Sequence, residues 1–485
     1  MILGKNLSIR RLCSHALVCL GIMTSSMVLA DSGQEKIEST KGPDKPTLEE
    51  RVQQQDQQIR DLQERIWQLE SSSTTESSPK KDDVADTAES EAGVQSPSLP
   101  KVDTDLGAIR ETTEILNSND LVSDDFPGSW PMFGTDSRIK IGGYLKADFV
   151  LDLDGTLDPT QFLMSTIPVE GTPEYGDHGY TAFFAQESRI NFDIRRIKPG
   201  APPLRGFVEG DFFDSTQQFR LRHAYMTVGD FLVGQTWTTL SFLEAMPYMI
   251  DFAAGDALFG GRTTQIRYTK SINDHWKYAI AIEQLAFLGI ENSSTLPGKA
   301  TRQLPLLAVR SDYRWDSGVL FLGSSVAQLH WDGGSAGPSD DALQFDFVVA
   351  GRQTVGSSSY LSGEIAVGDG AGENIMAFAG SNANAVLTID GTLETIPAFS
   401  ILLGGGHKWN SIWSSNLSYA YGWLDTPDTR APLALKRGGI GHINVIWQPV
   451  KQFSSGIEFM WGAQRTQNDA LGRAERIQFM GKFEF

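Results

Sequence analysis

Arginines dominate the residues that could do chemistry in this chain. Arg189 and Arg195 fall in one stretch. Arg220 and Arg222 fall in Phe219-Arg220-Leu221-Arg222-His223-Ala224-Tyr225. Arg262 and Arg267 fall in Gly261-Arg262-Thr263-Thr264-Gln265-Ile266-Arg267-Tyr268, and Arg310 and Arg314 follow. Arginine stays charged at any physiological pH and offers a planar fork to carboxylate or phosphate. Several in one narrow passage would favour anions and still release them. Acids at Glu187, Glu209, Asp211 and Asp312 set the competing reading, in which each arginine is paired and only stiffens a wall. A second candidate is Leu240–Gly261. It is too apolar for an exposed loop and too irregular for a strand, and a segment folded into an enclosed space accounts for both. It would carry Glu244, Asp251 and Asp256 there, facing the arginines.

Catalytic and metal chemistry find little support. There is no His-Glu-x-x-His and no phosphate loop, and no Gly-x-Ser-x-Gly nucleophile motif is expected. His178, His223, His275, His330, His407 and His442 are scattered, without the spacing of metal ligands. Cys13 and Cys19 both lie near the N-terminus, so a chain cleaved after residue 30 has no thiol. Neither an enzyme, a metal site nor a cofactor is expected. The net charge of −19 argues against nucleic acid as a partner. Residues 31–136 hold 24 acids and 10 bases, against 36 and 28 in 137–485, so the acidity belongs mainly to the N-terminal part.

The elements that must hold these arginines have period two, the mark of a strand with two unlike faces. Leu145, Ala147, Phe149 and Leu151 alternate with Tyr144, Lys146, Asp148 and Asp152. Ile190, Phe192 and Ile194 alternate with Arg189, Asn191, Asp193 and Arg195. Tyr278, Ile280 and Ile282 alternate with Ala279, Ala281 and Glu283. Ile443, Val445 and Trp447 alternate with His442 and Asn444. The last strand keeps its rhythm to the end, with Ile477, Phe479, Phe483 and Phe485 on one face. Aromatics carried to the final residue suit a face covered by lipid. About sixteen such segments predict an all-β fold, a transmembrane antiparallel barrel over 137–485. A soluble sandwich would also alternate, but one face here is polar nearly throughout. Trp276, Trp315, Trp331, Trp409, Trp423 and Trp447 fall near segment ends, where interfacial girdles lie. The Gly-rich stretches 332–341 and 368–395 read as longer outer loops.

Upstream, Lys5, Arg10 and Arg11 precede an apolar stretch that ends at Val28-Leu29-Ala30. Residues 1–30 therefore read as a signal peptide. A polar leader covers 31–47. In 48–70, Val52, Ile59 and Ile66 take position a of a heptad and Leu48, Leu62 and Leu69 position d, which predicts a short coiled coil. Branched a with Leu at d favours two strands, but Gln55 leaves the strand number open. Residues 71–136 read as a disordered acidic linker.

Certain runs resemble the DcaP-like outer-membrane porin family. They are Gly142-Gly143-Tyr144-Leu145-Lys146-Ala147-Asp148, Glu209-Gly210-Asp211-Phe212-Phe213, Phe219 to Tyr225, Gly234-Gln235-Thr236-Trp237-Thr238, Gln265-Ile266-Arg267-Tyr268 and the end from Trp447-Gln448-Pro449 to Trp461-Gly462. The resemblance implies a homotrimer joined through barrel and coil, one pore per subunit, the coil in the periplasm and uptake of small dicarboxylates. Outer-membrane lipid and small anionic solutes would be its partners. The alternative is an envelope structural protein whose barrel is an anchor and whose coil contacts the cell wall.

Overall fold

The computed structural model describes residues 126–196, 202–213 and 217–485. The signal segment, leader, coil and linker as far as residue 125 lie outside the described residues. Sixteen long strands form the barrel. They are β1 (Ser137–Asp152), β2 (Arg189–Arg196), β3 (Leu204–Asp211), β4 (Arg220–Val228), β5 (Phe231–Trp237), β6 (Arg262–Ser271), β7 (Trp276–Glu283) and β8 (Leu306–Trp315). Then come β9 (Gly318–Asp332), β10 (Asp340–Val355), β11 (Ser359–Asp369), β12 (Pro397–Lys408), β13 (Trp413–Leu424), β14 (Leu435–Val450), β15 (Phe453–Thr466) and β16 (Leu471–Glu484). Each pairs antiparallel with the next. The barrel closes because Tyr144 of β1 lies between Arg189 of β2 and Glu484 of β16. Closure leaves no unpaired edge, as a membrane demands.

The two faces follow from the alternation. Leu145, Ile280, Phe347, Ile443 and Phe483 are exposed on the outside, while Lys146, Asp148, Glu283, Asp346 and His442 are buried on the inside. Phe485 is exposed and donates its N–H to Gly143 at 3.1 Å, so the terminal aromatic stands on the outer surface beside the seam. One end has tight connections, such as Gly229–Asp230 and Lys451–Gln452. Trp276, Trp315, Trp409, Trp413 and Trp447 are exposed near that end. Trp331 departs from the girdle expectation: it is buried, and its indole N–H reaches the carbonyl of Pro297 at 3.3 Å.

Two expectations about the ends of segments need correction. Residues 126–136, assigned to the disordered linker, are folded onto the barrel. Trp130–Pro131 pairs with Ile139 and Arg138, and Phe126 is buried beneath the Arg195 guanidinium at 4.2 Å. The stretch 368–395, read as a longer outer loop, does include the long β11–β12 connection opposite the tight turns, but that connection packs inward instead of standing clear. Ile375, Ala377, Phe378, Ala383 and Val386 are all buried, and Ala385–Leu387 joins Ile290–Glu291 and Leu393–Thr395 in a small separate sheet. Its Gly-Ala composition is what lets backbone pack closely. Within the stretch, a Cβ on Gly372 would lie 2.3 Å from the Ala383 carbonyl oxygen, and on the β13 wall a Cβ on Gly422 would lie 2.7 Å from the Phe378 ring.

Candidate functional site

The segment between β5 and β6 crosses the inside of the barrel to the far wall. Its irregular backbone, with one 3-10 turn at Leu243–Ala245, finds partners on inward-facing side chains of several other strands. Ser362 of β11 donates to Ala245 O at 2.7 Å, and Asn444 of β14 to Tyr248 O at 2.9 Å. Lys146 of β1 donates to Ile250 O at 2.6 Å, and Ser400 of β12 to Ala257 O at 3.0 Å. Glu458 of β15 accepts the N–H groups of Ile250 and Asp251 at 2.7 and 3.1 Å. A buried backbone needs such partners. Gly404 admits the loop: a Cβ there would sit 2.3 Å from Pro247. Leu240, Phe242, Leu258 and Phe259 add an apolar core, with Phe242 stacked on Phe321 of β9 at 5.2 Å.

The opposite wall carries the arginines. Tyr144, Arg189, Asp211 and Arg220 occupy one cross-strand row over β1–β4. Arg220 grips Asp211 with two bonds of 2.9 and 2.8 Å. Arg222 reaches Glu209 at 3.1 Å and Asp211 at 2.9 Å. Arg189 lies 3.9 Å from Glu209 and 5.3 Å above the Tyr144 ring. A register shift between Glu209 and Gly210 leaves Arg222 unmatched on β4. Such a bulge turns two successive side chains the same way, and Arg222 and His223 are both buried inside while Leu221 remains outside. Phe252, from the crossing loop, stacks on Phe213 at 3.9 Å. It stands 5.4 Å from the Arg220 guanidinium and 5.7 Å from that of Arg222.

The structure thus brings Arg189, Arg220 and Arg222 together. The other expected site residues fall elsewhere. Arg195 pairs with Asp193 at 2.7 Å, six positions along β2 from Arg189. Arg267 is buried on β6 and donates to Gln265 at 2.7 Å. Arg310 forms two bonds to Asp312, of 2.7 and 2.8 Å. Arg262 does not share the inner face with Arg267. They are five positions apart, an odd step, so Arg262 has the parity of outward Thr264, Ile266 and Tyr268, and it lies 4.9 Å over the Trp237 ring.

The loop carboxylates also differ from expectation. Asp251 and Asp256 do not face the arginines as free charges. Both are buried, and they accept the N–H groups of Phe162 and Met164, each at 3.1 Å, tying the β1–β2 connection to the loop. Glu244 is the exposed one, paired with Arg314 of β8. Arg205 was missed. It holds Asp193 at 2.9 Å and the Tyr225 hydroxyl at 2.9 Å, and its alternation with Glu209 and Asp211 was visible in the sequence.

A Gly-x-Ser-x-Gly pattern does occur, at Gly333-Gly334-Ser335-Ala336-Gly337, contrary to expectation. It forms the hairpin loop between β9 and β10 rather than a strand-to-helix elbow. Nearby His330 meets Asp341 at 2.7 Å through Nδ1, but its other ring nitrogen faces Gln303 at 2.7 Å instead of Ser335. Among the described residues, no cluster of three or more potential ligands is placed to hold a metal ion.

A closed sixteen-stranded barrel, apolar outside and polar inside, with one connection folded across its interior, defines a channel of the outer membrane. The chain belongs to the DcaP outer membrane protein family, whose family model matches residues 116–485. It resembles the outer membrane channel DcaP of Acinetobacter baumannii, at 19% identity and a TM-score of 0.63, covering 74% of this chain and 100% of that one. An anion-selective porin from Comamonas acidovorans aligns at 10% identity and a TM-score of 0.48, over 72% and 100% of the two chains. OmpT of Vibrio cholerae, folded in vitro, aligns at 12% and 0.47, over 73% and 99%. A search of curated protein sequences finds no match.

Proposed function

We propose that this channel passes small organic anions, dicarboxylates above all, by passive diffusion along the wall of β2–β4. One observation carries the reading. Five arginines on that wall, Arg189, Arg195, Arg205, Arg220 and Arg222, meet three carboxylates, Asp193, Glu209 and Asp211. Pairing removes most of the individual charge, so the surplus matters rather than the number of arginines. Two net positive charges in a confined, poorly hydrated passage bias flux toward anions without trapping them. Arg220 is the member open to a solute, with its side chain a third exposed. Phe252 beside it narrows the path.

The test is the reversal potential of the purified full-length protein in a planar bilayer under a salt gradient, with and without succinate. Anion preference and block by succinate are expected. A cation preference or an ideal neutral pore would overturn the reading. A barrel with no conductance at all would return the molecule to the alternative of an envelope anchor.

Trimer formation belongs to the same proposal. β2–β5 hold 8, 8, 9 and 7 residues, whereas β10 and β14 hold 16 each. Eight residues rise roughly 27 Å, and tilted by about 40° they span roughly 20 Å, short of the ~25 Å apolar band of a barrel. Neighbouring subunits are the natural cover for that low wall, with the coil at 48–70 as a second tether. Light scattering in detergent should give three chains. Deleting 48–70 should leave an inserted barrel, and failure to insert would refute the modular arrangement.

A further inference from the structure

A second row of positive charge lies at the tight-turn end of the lumen, away from the wall described above. Arg314 of β8 is the direct cross-strand partner of Val319 on β9, and Val319 is in turn the partner of Arg352 on β10. The two arginines therefore flank one small apolar residue on the inner face. Their Cα atoms are about two strand spacings, roughly 10 Å, apart. They line a cavity of about 300 Å³ together with Lys408, Thr354, Ser359 and Glu244.

The two guanidinium groups are held differently. Arg352 lies 3.7 Å above the centroid of the Tyr360 ring, and Tyr360 is itself buried and fixed by its hydroxyl bond to Asn416 at 3.2 Å. Among the described residues no carboxylate lies within ion-pair distance of Arg352. An aromatic face satisfies charge but leaves the N–H edge of the fork available. Arg314, by contrast, is taken by Glu244 of the crossing loop. Glu244 is delivered there by its neighbour: Ala245 accepts a bond from Ser362, and Ser362 is the cross-strand partner of Arg352. The loop thus plants a carboxylate at the edge of the arginine row, and both Glu244 and Arg314 are substantially exposed.

We propose that Arg314 and Arg352 form a second carboxylate-binding station at the turn end of the channel, in which Glu244 is a resident counter-ion that the solute displaces. A solute with two carboxylates on a short carbon chain can engage Arg352 with one and compete with Glu244 for Arg314 with the other. Displacement keeps the station weak. Every solute that leaves is replaced by a tethered carboxylate already in place, so release is assisted. The inference rests on the reading of the protein as an anion channel, and it adds a site and a mechanism of release to it.

The experiment uses full-length protein in planar bilayers, with succinate added separately to the loop-end and turn-end compartments. Arg352→Gln should weaken succinate block from the turn end by about two- to fivefold, the worth of one partly exposed charge pair. Glu244→Gln should strengthen it by a similar factor, because Arg314 is released. Opposite effects of two substitutions in one cavity are not expected from general damage to the barrel. Arg352→Lys, which keeps the charge and loses the fork, should fall between wild type and Arg352→Gln. Turn-end block unchanged in both Arg352→Gln and Glu244→Gln, in a wild type that is anion-selective and blocked by succinate, would overturn the station and leave the anion channel standing. A wild type that succinate does not block would overturn both.

Discussion

Glu458 is the point at which the crossing loop can be unfastened without touching the loop itself. Its side chain is fully buried on β15 and receives four donors: Ile250 N at 2.7 Å, Asp251 N at 3.1 Å, Asn444 Nδ2 at 2.9 Å and His442 Nδ1 at 3.1 Å. Two of these come from the loop backbone. Glu458→Gln keeps the shape and replaces one accepting oxygen by a donating amide, so one loop N–H then faces a donor. A hydrogen bond to a charged group contributes about 1.5–3 kcal/mol, and a buried donor left unsatisfied costs about 1–3 kcal/mol. The seat at Ile250–Asp251 should therefore lose roughly 2–4 kcal/mol. Each ~1.4 kcal/mol is tenfold, so the detached population of that apex rises roughly 30- to 1,000-fold. The attachments on either side, Ser362 to Ala245 and Ser400 to Ala257, confine the release to the apex, where the Lys146 bond to Ile250 O is the remaining restraint. The assay is single-channel recording of the variant and the wild type, with heat-modifiable mobility in gels confirming that both barrels are folded. Larger conductance and new flicker are expected. An inserted variant with wild-type conductance and noise would refute the claim that Glu458 seats the loop.

Neutralising Arg220 and Arg222 together should move the reversal potential toward cations and weaken succinate block, because Asp211 and Glu209 then lose their strongest partners; Leu221→Ala, on the lipid side of the same strand, should change neither. Unchanged selectivity in the double variant would remove these arginines from the pathway. On the inward-packed loop, burial pushes the Glu373 carboxyl above its ordinary value, opposed by backbone N–H groups of Asn382 and Ala383 and by Arg430. The folded loop thus holds the proton more tightly than a detached one. Its contribution is fully present below the ordinary carboxylate range and is lost as pH rises through the raised value. Limited proteolysis of 370–396 should accelerate with rising pH across that window, and Glu373→Gln should flatten the dependence; a loop equally protected at every pH would contradict this.

The barrel could be read from the sequence because its physics is local. A strand with lipid outside and polar groups inside must alternate, and Leu145 to Leu151 or Ile443 to Trp447 show this without reference to any neighbour. The crossing loop was legible for a related reason: twenty-two residues from Leu240 to Gly261, too apolar for water and without period, have to be covered. The inward packing of 368–395 escaped notice because Gly and Ala are as common in exposed turns as in close-packed backbone. Its scattered large residues, Ile375, Phe378 and Leu387 among them, gave the sign of burial.

Site residues were harder to read because charge has no period that distinguishes a partner from a solute. Arg262 could have been placed by counting, since an odd interval from Arg267 forbids a shared face in a regular strand. Arg222 and His223 could not, because a bulge changes parity without a residue signature. Asp251 and Asp256 were assigned to the passage on the strength of their loop, yet their acceptors are used by Phe162 and Met164, about ninety positions earlier in the chain. An acid on an inward-folded loop is under two demands, since the loop backbone must be anchored before it can shape a pore. In this protein Asp251, Asp256 and Glu458 meet the first demand. That leaves Glu244, the exposed acid at the loop's other corner, as the carboxylate able to answer a solute.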